Sequence, residues 1–307
     1  MERPYILHML TPGRQMSPFD INMAADAGYQ LLPTYADVTL DAVAGLTQDT
    51  IFSRGPKGVA RTGIFIGGRD VMLAADMLER ARKSMVPPFV VSLMADPSGA
   101  FTTAAAMVAC VEAQLVKRGA TLAGQRVVVL GGTGPVGRIA AVLAAKAGAV
   151  VRLSSRQGID TAEQAARDTG ARFGVTLHGI SGGDREAVRR SLAEAEVLLS
   201  AAAAGVQAVS ADDLGFGRGL LVAADVNAVP PEGIAGVGVM DHGQLVAGTQ
   251  IAGIGALAVG NVKYQTQQRL LVRMRESSQP LVLGFDEAFE LARAVLAEKT
   301  EKTENGA

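Results

Sequence analysis

Residues 127–138 read VVVLGGTGPVGR: four apolar residues, a glycine-rich turn, a proline, and the opening of an apolar stretch, "VGRIAAVLAAKAG" (136–148). Four to five apolar residues running into such a turn predict a buried strand. The apolar spacing beyond Pro135 predicts a helix packed on it. Gly132, Gly134 and Gly137 satisfy G-x-G-x-x-G. In a strand–turn–helix unit those glycines allow a tight turn, close approach of a pyrophosphate to the backbone, and close helix–strand packing. The N–H groups of the helix start, over Gly132, Thr133, Gly134, Pro135, Val136 and Gly137 (Pro135 contributing none), then meet the phosphates. The other reading is a purely structural turn in a chain with 36 glycines. A mononucleotide P-loop is disfavoured, because no Gly-Lys-Ser/Thr follows.

Working outward, a second strand, "AVVRLSS" (149–155), follows at the distance a β-α-β unit requires. Its end distinguishes nicotinamide cofactors. A carboxylate there bonds the free ribose hydroxyls of NAD, whereas Arg with small polar neighbours accepts the 2′-phosphate of NADP. The chain reads "RLSSRQG", with no Asp or Glu before Asp160. Ser154, Ser155 and Arg156 therefore favour NADP, with use of NAD left open and a solvated surface arginine as the alternative. Further β elements are expected at "EVLLSAAA" (196–203), which ends near Ala201, at "LLVAADVNAVPP" (220–231), and at "QLVAG" (244–248). Asp225 and Asn227 lie at a strand end stiffened by two prolines.

The first third alternates in the same way. Strands are expected at "YILHML", "YQLLPTYA", "GIFIGG" and "FVVSLMADPSG", and helices at "SPFDINMAADAG" and "RDVMLAADMLERARKSM". Ser17 and Pro18 suit a helix N-cap and first position, and Thr102 and Thr103 suit the cap of a long helix reaching about Arg118. Alternating strand and helix predicts α/β architecture with mostly parallel sheets covered by helices. A domain boundary is expected near 105, with a second domain over 106–264. The stretch "IAGIGALAVGNVKYQTQQRLLVRM" (251–274) enters a further helix, a last amphipathic helix spans about 286–298, and 299–307 is a polar, frayed tail.

Composition narrows the function classes. Among 307 residues, 29 basic and 30 acidic side chains nearly cancel, so no bulk charge draws the chain to nucleic acid or a membrane surface. A regulator that merely senses NADP has little support for the same reason. The one cysteine, Cys110, lies in an apolar helical stretch and excludes a disulfide framework. His8, His178 and His242 are scattered, and no metal site is expected. His8 in its strand reads as a packed or hydrogen-bonded residue. There is no leader-like N-terminus and no apolar run of 18 residues, so a cytoplasmic protein is expected. The Tyr-x-x-x-Lys element of short-chain dehydrogenases has no match at Lys263 and Tyr264. Lys263 stands beside a small-residue stretch, and the alternative to a site role is a lysine snorkelling at a helix surface.

Seven blocks carry a resemblance across nearly the whole chain. They are "ILHMLTP", "MSPFDINMAADAG", "LTQDTIFSR", "RTGIFIGG", "DPSGAFTTAAAMVA", "LLVAADVNAVPPEGIAG" and "GIGALAVGNVKYQTQ". With them the chain resembles the bacterial NAD(P)-dependent methylene-tetrahydromethanopterin dehydrogenases of one-carbon metabolism, the form serving formaldehyde oxidation and methanol utilization in methylotrophs. The resemblance implies hydride transfer from the methylene carbon of the pterin-linked carrier to NAD(P), giving the methenyl product. It implies two Rossmann-like domains with an interdomain active-site cleft, C-terminal helices (265–298) returning to the substrate domain (1–105), and a homo-oligomer. Asp20 and Lys263 are then the expected catalytic residues. Ser17, Phe19, Asn22, Asp26, Asp96 and Thr102 are expected carrier contacts, and Ala201, Asp225, Asn227 and Gly255 join the glycine turn and Ser154–Arg156 as dinucleotide contacts. Some relatives carry a His-Asp pair where this chain has Ser-Ser-Arg, which sets local chemistry against the nearest whole-chain likeness on cofactor choice. The more distant likeness is to methylene-tetrahydrofolate dehydrogenase/cyclohydrolases, whose Tyr-x-x-x-Lys element has no match in the N-terminal third. The folate-linked carrier stays as the alternative substrate.

Overall fold

The computed structural model describes residues 3–305, with side chains through residue 298. In chain order the elements begin β1 (Ile6–Leu10), α1 (Pro18–Asp26), β2 (Thr34–Tyr35), α2 (Ala42–Phe52), α3 (Gly55–Val59), β3 (Thr62–Ile66), α4 (Val71–Lys83), β4 (Ser92–Ala95) and α5 (Ala100–Val116). There follow β5 (Arg126–Leu130), α6 (Pro135–Lys146), β6 (Val150–Ser155), α7 (Ile159–Phe173), β7 (His178–Ser181), α8 (Arg185–Ala193), β8 (Val197–Ser200), α9 (Ala211–Leu214) and β9 (Val222–Asp225). The last are β10 (His242–Leu245), β11 (Ala252–Ile254), α10 (Ala256–Glu276), β12 (Val282–Leu283) and α11 (Phe285–Asn305). Two compact units divide the chain: residues 1–102 with 264–291, and residues 103–263 with 292–307.

The first unit holds a five-stranded sheet of order β12-β4-β3-β1-β2, parallel throughout. Every residue of β3 and β4 is buried, as expected for central parallel strands covered on both faces. Leu7, Met9, Ile64, Phe65, Leu93 and Met94 form its interior. The order reverses between β1 and β3, where open α/β sheets place their ligands.

The second unit holds a seven-stranded sheet, β10-β11-β9-β8-β5-β6-β7, parallel except for the edge pair β10–β11. Stripped of β10, that is the doubly wound order with the glycine-motif strand β5 at the switch point, flanked by β6 and β8. Val128, Leu130, Leu198, Ala223 and Ile234 pack with Val188 and Leu192 of α8 into one contiguous core. The stretch Pro97–Val116 is long and apolar enough to cross a membrane by length and composition, yet 78% of its most apolar window is buried in the fold. Cys110 is buried within it.

Several expectations are corrected. The strand expected over 29–36 shrinks to Thr34–Tyr35, with one isolated bridge at Leu31; Pro33 cannot donate in a ladder. The long helix begins at Ala100, and its cap is the Asp96 side chain rather than Thr102 or Thr103. Ser17 occupies the N-cap position of α1 but makes no side-chain cap bond. The last helix continues past 298 to Asn305. The frayed tail expected over 299–307 thus carries helical backbone to 305, while its side chains and residues 306–307 lie outside the described residues.

Candidate functional site

In the glycine turn, the residue that bends the chain is one that the motif reading passed over. Gly131 has φ of +68°, and a Cβ there would stand 2.4 Å from the Ala201 carbonyl oxygen. The tight-turn role expected of Gly132 therefore belongs to Gly131. Gly132 instead packs on β6, where a Cβ would come within 2.5 Å of the Leu153 Cβ and 2.9 Å of the Ser154 nitrogen. A Cβ on Gly137 would be 2.4 Å from the Gly131 carbonyl oxygen, so this glycine lets α6 pack against the turn. Gly134 is the N-cap, with Pro135 at the first helical position. The doubled glycine "GG" was the available signal for Gly131, hidden by a motif that starts one residue later.

Above this turn opens a cavity of about 590 Å³. Thr133, Gly134 and Pro135 line it from the turn, Ser154 to Gln157 from the end of β6, and Ala201 to Ala203 with Val206 to Ala208 from the loop after β8. Val136 and Gly137 belong to the first turn of α6 behind it. Ser154 and Ser155 are buried. The Ser155 Oγ accepts from the Gln157 backbone N–H at 3.1 Å, which folds the segment back on itself. Arg156 is exposed at the cavity and engages no other described side chain. The residues fit a dinucleotide: the glycines leave the floor bare, a helix N-terminus points at it, and an uncommitted guanidinium stands at the rim.

Asp225 and Asn227 serve this cavity by holding its wall. The Asp225 carboxylate is buried and accepts the backbone N–H groups of Asn227 (3.1 Å), Gly233 (2.7 Å) and Ile234 (3.2 Å). Burial pushes its pKa up, against the pull of those donors. Gly233 in turn accepts the N–H groups of Ala208 and Val209. The Asn227 Oδ1 accepts from Gly205 (3.2 Å) and Val229 (3.0 Å), and its Nδ2 donates to the Pro231 carbonyl at 2.8 Å. Both side chains are thus spent largely on backbone. Gly255, at the end of β11, is crowded by the backbone of Gly238 and Val239 and donates to the Asp241 carbonyl; it is not among the cavity residues.

In the first unit, α1 starts just beyond β1 at the switch point. Its faces separate the polar residues that sequence proximity grouped. Asp20 is buried, with Met23 and Ala24, whereas Phe19, Asn22 and Asp26 are exposed. Asp20 accepts from the Gln267 Nε2 at 2.7 Å. Gln267 is fully buried, and sequence reasoning missed it; a glutamine at an apolar-facing helical position was the only signal. Lys263, half-buried and the residue at which the second unit's main segment ends, stands one turn before Gln267 on α10, so the two share a face of that helix. Asp96 and Thr102 are both buried and bonded to one another. The Asp96 Oδ1 accepts the N–H groups of Phe101 (2.9 Å) and Thr102 (3.1 Å), and its Oδ2 accepts the Thr102 hydroxyl at 2.6 Å. The His8 Nδ1 lies 3.0 Å from the Tyr35 hydroxyl. Burial, with Arg54 nearby, pushes its pKa down. Among the described residues, no group of three or more His, Cys, Asp or Glu side chains could hold a metal ion.

Comparison with known proteins adds to this geometry. The family profile described as methylene-tetrahydromethanopterin dehydrogenase, N-terminal, matches residues 18–98. Over 288 residues the chain is 50% identical to the NAD(P)-dependent methylenetetrahydromethanopterin dehydrogenase of Methylorubrum extorquens, covering 94% of this chain and 97% of that protein. It is 34% identical over 277 residues to the bifunctional protein MdtA of the same species, covering 90% and 94%. Among solved structures, shikimate 5-dehydrogenase from Listeria monocytogenes, in complex with shikimate and NAD, superposes with a TM-score of 0.52 at 13% identity, covering 94% of this chain and 96% of that one. At that identity the likeness speaks for the fold alone: an α/β architecture with mostly parallel sheets. The half-identical relative, matched almost end to end, decides the family that the sequence blocks resembled. The chain belongs to the methylene-tetrahydromethanopterin dehydrogenase family.

Proposed function

We propose that this protein transfers a hydride from methylene-tetrahydromethanopterin to NADP, giving methenyl-tetrahydromethanopterin and NADPH. The observation that carries this reading is the 50% identity over 94% of the chain to a relative named for that substrate and for NAD(P). In this reading the first unit takes the carrier and the second takes the dinucleotide. The backbone N–H groups of the turn from Gly131 to Gly137 hold the pyrophosphate, and Arg156, with the hydroxyls of Ser154 and Ser155, binds the 2′-phosphate. Bound NADP supplies the hydride acceptor.

The remaining chemistry asks little of the side chains. The positive charge of the methenyl product is shared by the two nitrogens flanking the reacting carbon, so no strong base has to remove a proton. What the protein must provide is orientation and a favourable field. Asp20 is proposed as the fixed anion, held in place by Gln267. Lys263, one turn away from Gln267 on the same helix, is proposed to orient the carrier. Ser17, Phe19, Asn22 and Asp26 are proposed to contact the rest of it. Asp96, bonded to Thr102, acts through the start of α5, which it caps.

The test is to mix the purified protein with methylene-tetrahydromethanopterin and NADP or NAD, and to follow the absorbance of the reduced nicotinamide and of the methenyl product together. Both products should appear in equal amounts, with NADP preferred. No reduction of either dinucleotide across the usable carrier concentrations would overturn the reading. Faster turnover with methylene-tetrahydrofolate, run beside it, would reassign the carrier.

A further inference from the structure

Between β7 and α8 the chain reads Ser181-Gly182-Gly183-Asp184. Neither glycine is needed for its backbone conformation, since neither has a positive φ. What each lacks is room. A Cβ on Gly183 would stand 2.5 Å from the Arg156 carbonyl oxygen and 3.3 Å from its carbonyl carbon. A Cβ on Gly182 would stand 2.9 Å from the Ser154 Oγ and 3.0 Å from the Ser154 Cβ. The two glycines thus press on the Ser154–Arg156 segment from one side, and the Gly182 N–H also donates to the Ser155 carbonyl at 2.8 Å. That carbonyl accepts the Gly158 N–H at 3.3 Å as well, and the Ser155 Oγ accepts from Gln157. The backbone carrying Arg156 is therefore fixed by its own tight turn on one side and by this loop on the other.

We infer that Gly182 and Gly183 are positioning residues for dinucleotide selectivity: by lying bare against Ser154 and Arg156 they set where the Arg156 guanidinium stands, and so favour a dinucleotide bearing a 2′-phosphate over one with free ribose hydroxyls. This rests on the reading of Arg156 as the 2′-phosphate partner. The Arg156 carbonyl is backbone and cannot turn aside as a side chain can. A methyl group at 183 must therefore move the segment, and with it the root of the arginine. The guanidinium bond to phosphate depends on distance and direction, whereas a free ribose takes nothing from Arg156. A Cβ at 182 meets mainly a serine side chain, which can rotate, so its effect has the same direction and a smaller size.

The experiment measures dissociation constants by titration calorimetry for NADP and NAD, and for adenosine 2′,5′-bisphosphate against adenosine 5′-phosphate, in four proteins. These are the wild type, Gly183→Ala, Arg156→Ala and the double variant. Gly183→Ala should lower the preference for the phosphorylated ligand on the order of tenfold, the scale of losing most of one charge-assisted bond. In the Arg156→Ala background the same change should move the preference by less than about twofold, because the two act through one contact. Should Gly183→Ala fail to fold, Gly182→Ala must lower the preference in the same direction. Equal weakening of both ligands by Gly183→Ala, or an unchanged preference in a folded Gly183→Ala or Gly182→Ala, overturns the proposal. An unchanged preference in Arg156→Ala alone overturns the underlying reading of the phosphate site instead.

Discussion

Replacing Arg156 by alanine removes an exposed cation that lines the cavity and engages no other side chain among the described residues, so the change costs the free protein little in lost contacts. Its effect should fall on ligands carrying a 2′-phosphate. Such a phosphate bears roughly 1.5 to 2 negative charges near neutrality. A unit charge pair at about 4 Å is worth ~1 kcal/mol in water and ~4 kcal/mol at the effective dielectric of a protein surface. Because Arg156 is exposed, the lower part of that range applies, and about 2 kcal/mol corresponds to roughly thirtyfold. The expected result is a rise of that order in the KM for NADP. Efficiency with NAD, which has no phosphate to lose, should change by less than about threefold on the same scale. Steady-state rates with both dinucleotides at one ionic strength give the ratio. Repeating the wild-type measurement between ~0.15 M and ~1 M salt shortens the screening length from about 8 Å to about 3 Å, and should erode the NADP preference in step. A ratio of efficiencies that is the same in wild type and Arg156→Ala would refute the reasoning and leave the two cofactors on equal terms.

Other perturbations separate function from framework. Asp20→Ala should lower turnover while leaving the KM for NADP close to wild type, and Lys263→Ala should weaken carrier binding, turnover or both; full activity in both folded variants would make them framework residues. Asp96→Ala strips three donors of their shared buried acceptor, and should cost about 3 kcal/mol in denaturant unfolding, the sum of a lost cap and orphaned donors. Asp96→Asn, which keeps one oxygen, should cost less, and equal losses would show that the cap geometry is not what matters. Burial opposes ionisation of Asp213, but hydrogen bonds from Ser210, Arg189 and Arg185 outweigh it and hold the carboxyl well below its ordinary pKa. Its contribution to stability is therefore complete above the ordinary aspartate range of about pH 4 and is lost as the pH falls through that value toward the depressed one. Asp213→Asn should flatten the acid side of the stability profile, and an unaltered acid limb would count against the network.

Some of this protein is local, and was legible without a structure. The strand β5, its turn and helix α6 follow from neighbouring residues alone, because an apolar run, a glycine turn and a proline at the first helical position each act within a few residues. The same holds for Ser154-Ser155-Arg156, adjacent in sequence and placed by the strand they end. The family was legible too, since the resembling blocks run along nearly the whole chain. What could not be read was whatever depends on which side of an element meets the core. Helical period alone separates Asp20 from Asn22 and Asp26, but only packing decides that Asp20 is the one turned inward. Its partner Gln267 lies 247 residues away. Gly131, rather than Gly132, carries the turn because the Ala201 carbonyl occupies the space a side chain would need. The place of Asp225 and Asn227 at a strand end could be read, but not that backbone N–H groups of Gly233 and Ile234 would donate to Asp225 and that of Gly205 to Asn227. Gly182 and Gly183 gave no sign at all, because the close approach they permit is to a segment nearly thirty residues earlier. Short-range sterics and periodicity are written into consecutive residues; burial, satisfaction of buried donors and close backbone approach are set by segments distant in sequence, and exist only once the sheet has brought them together.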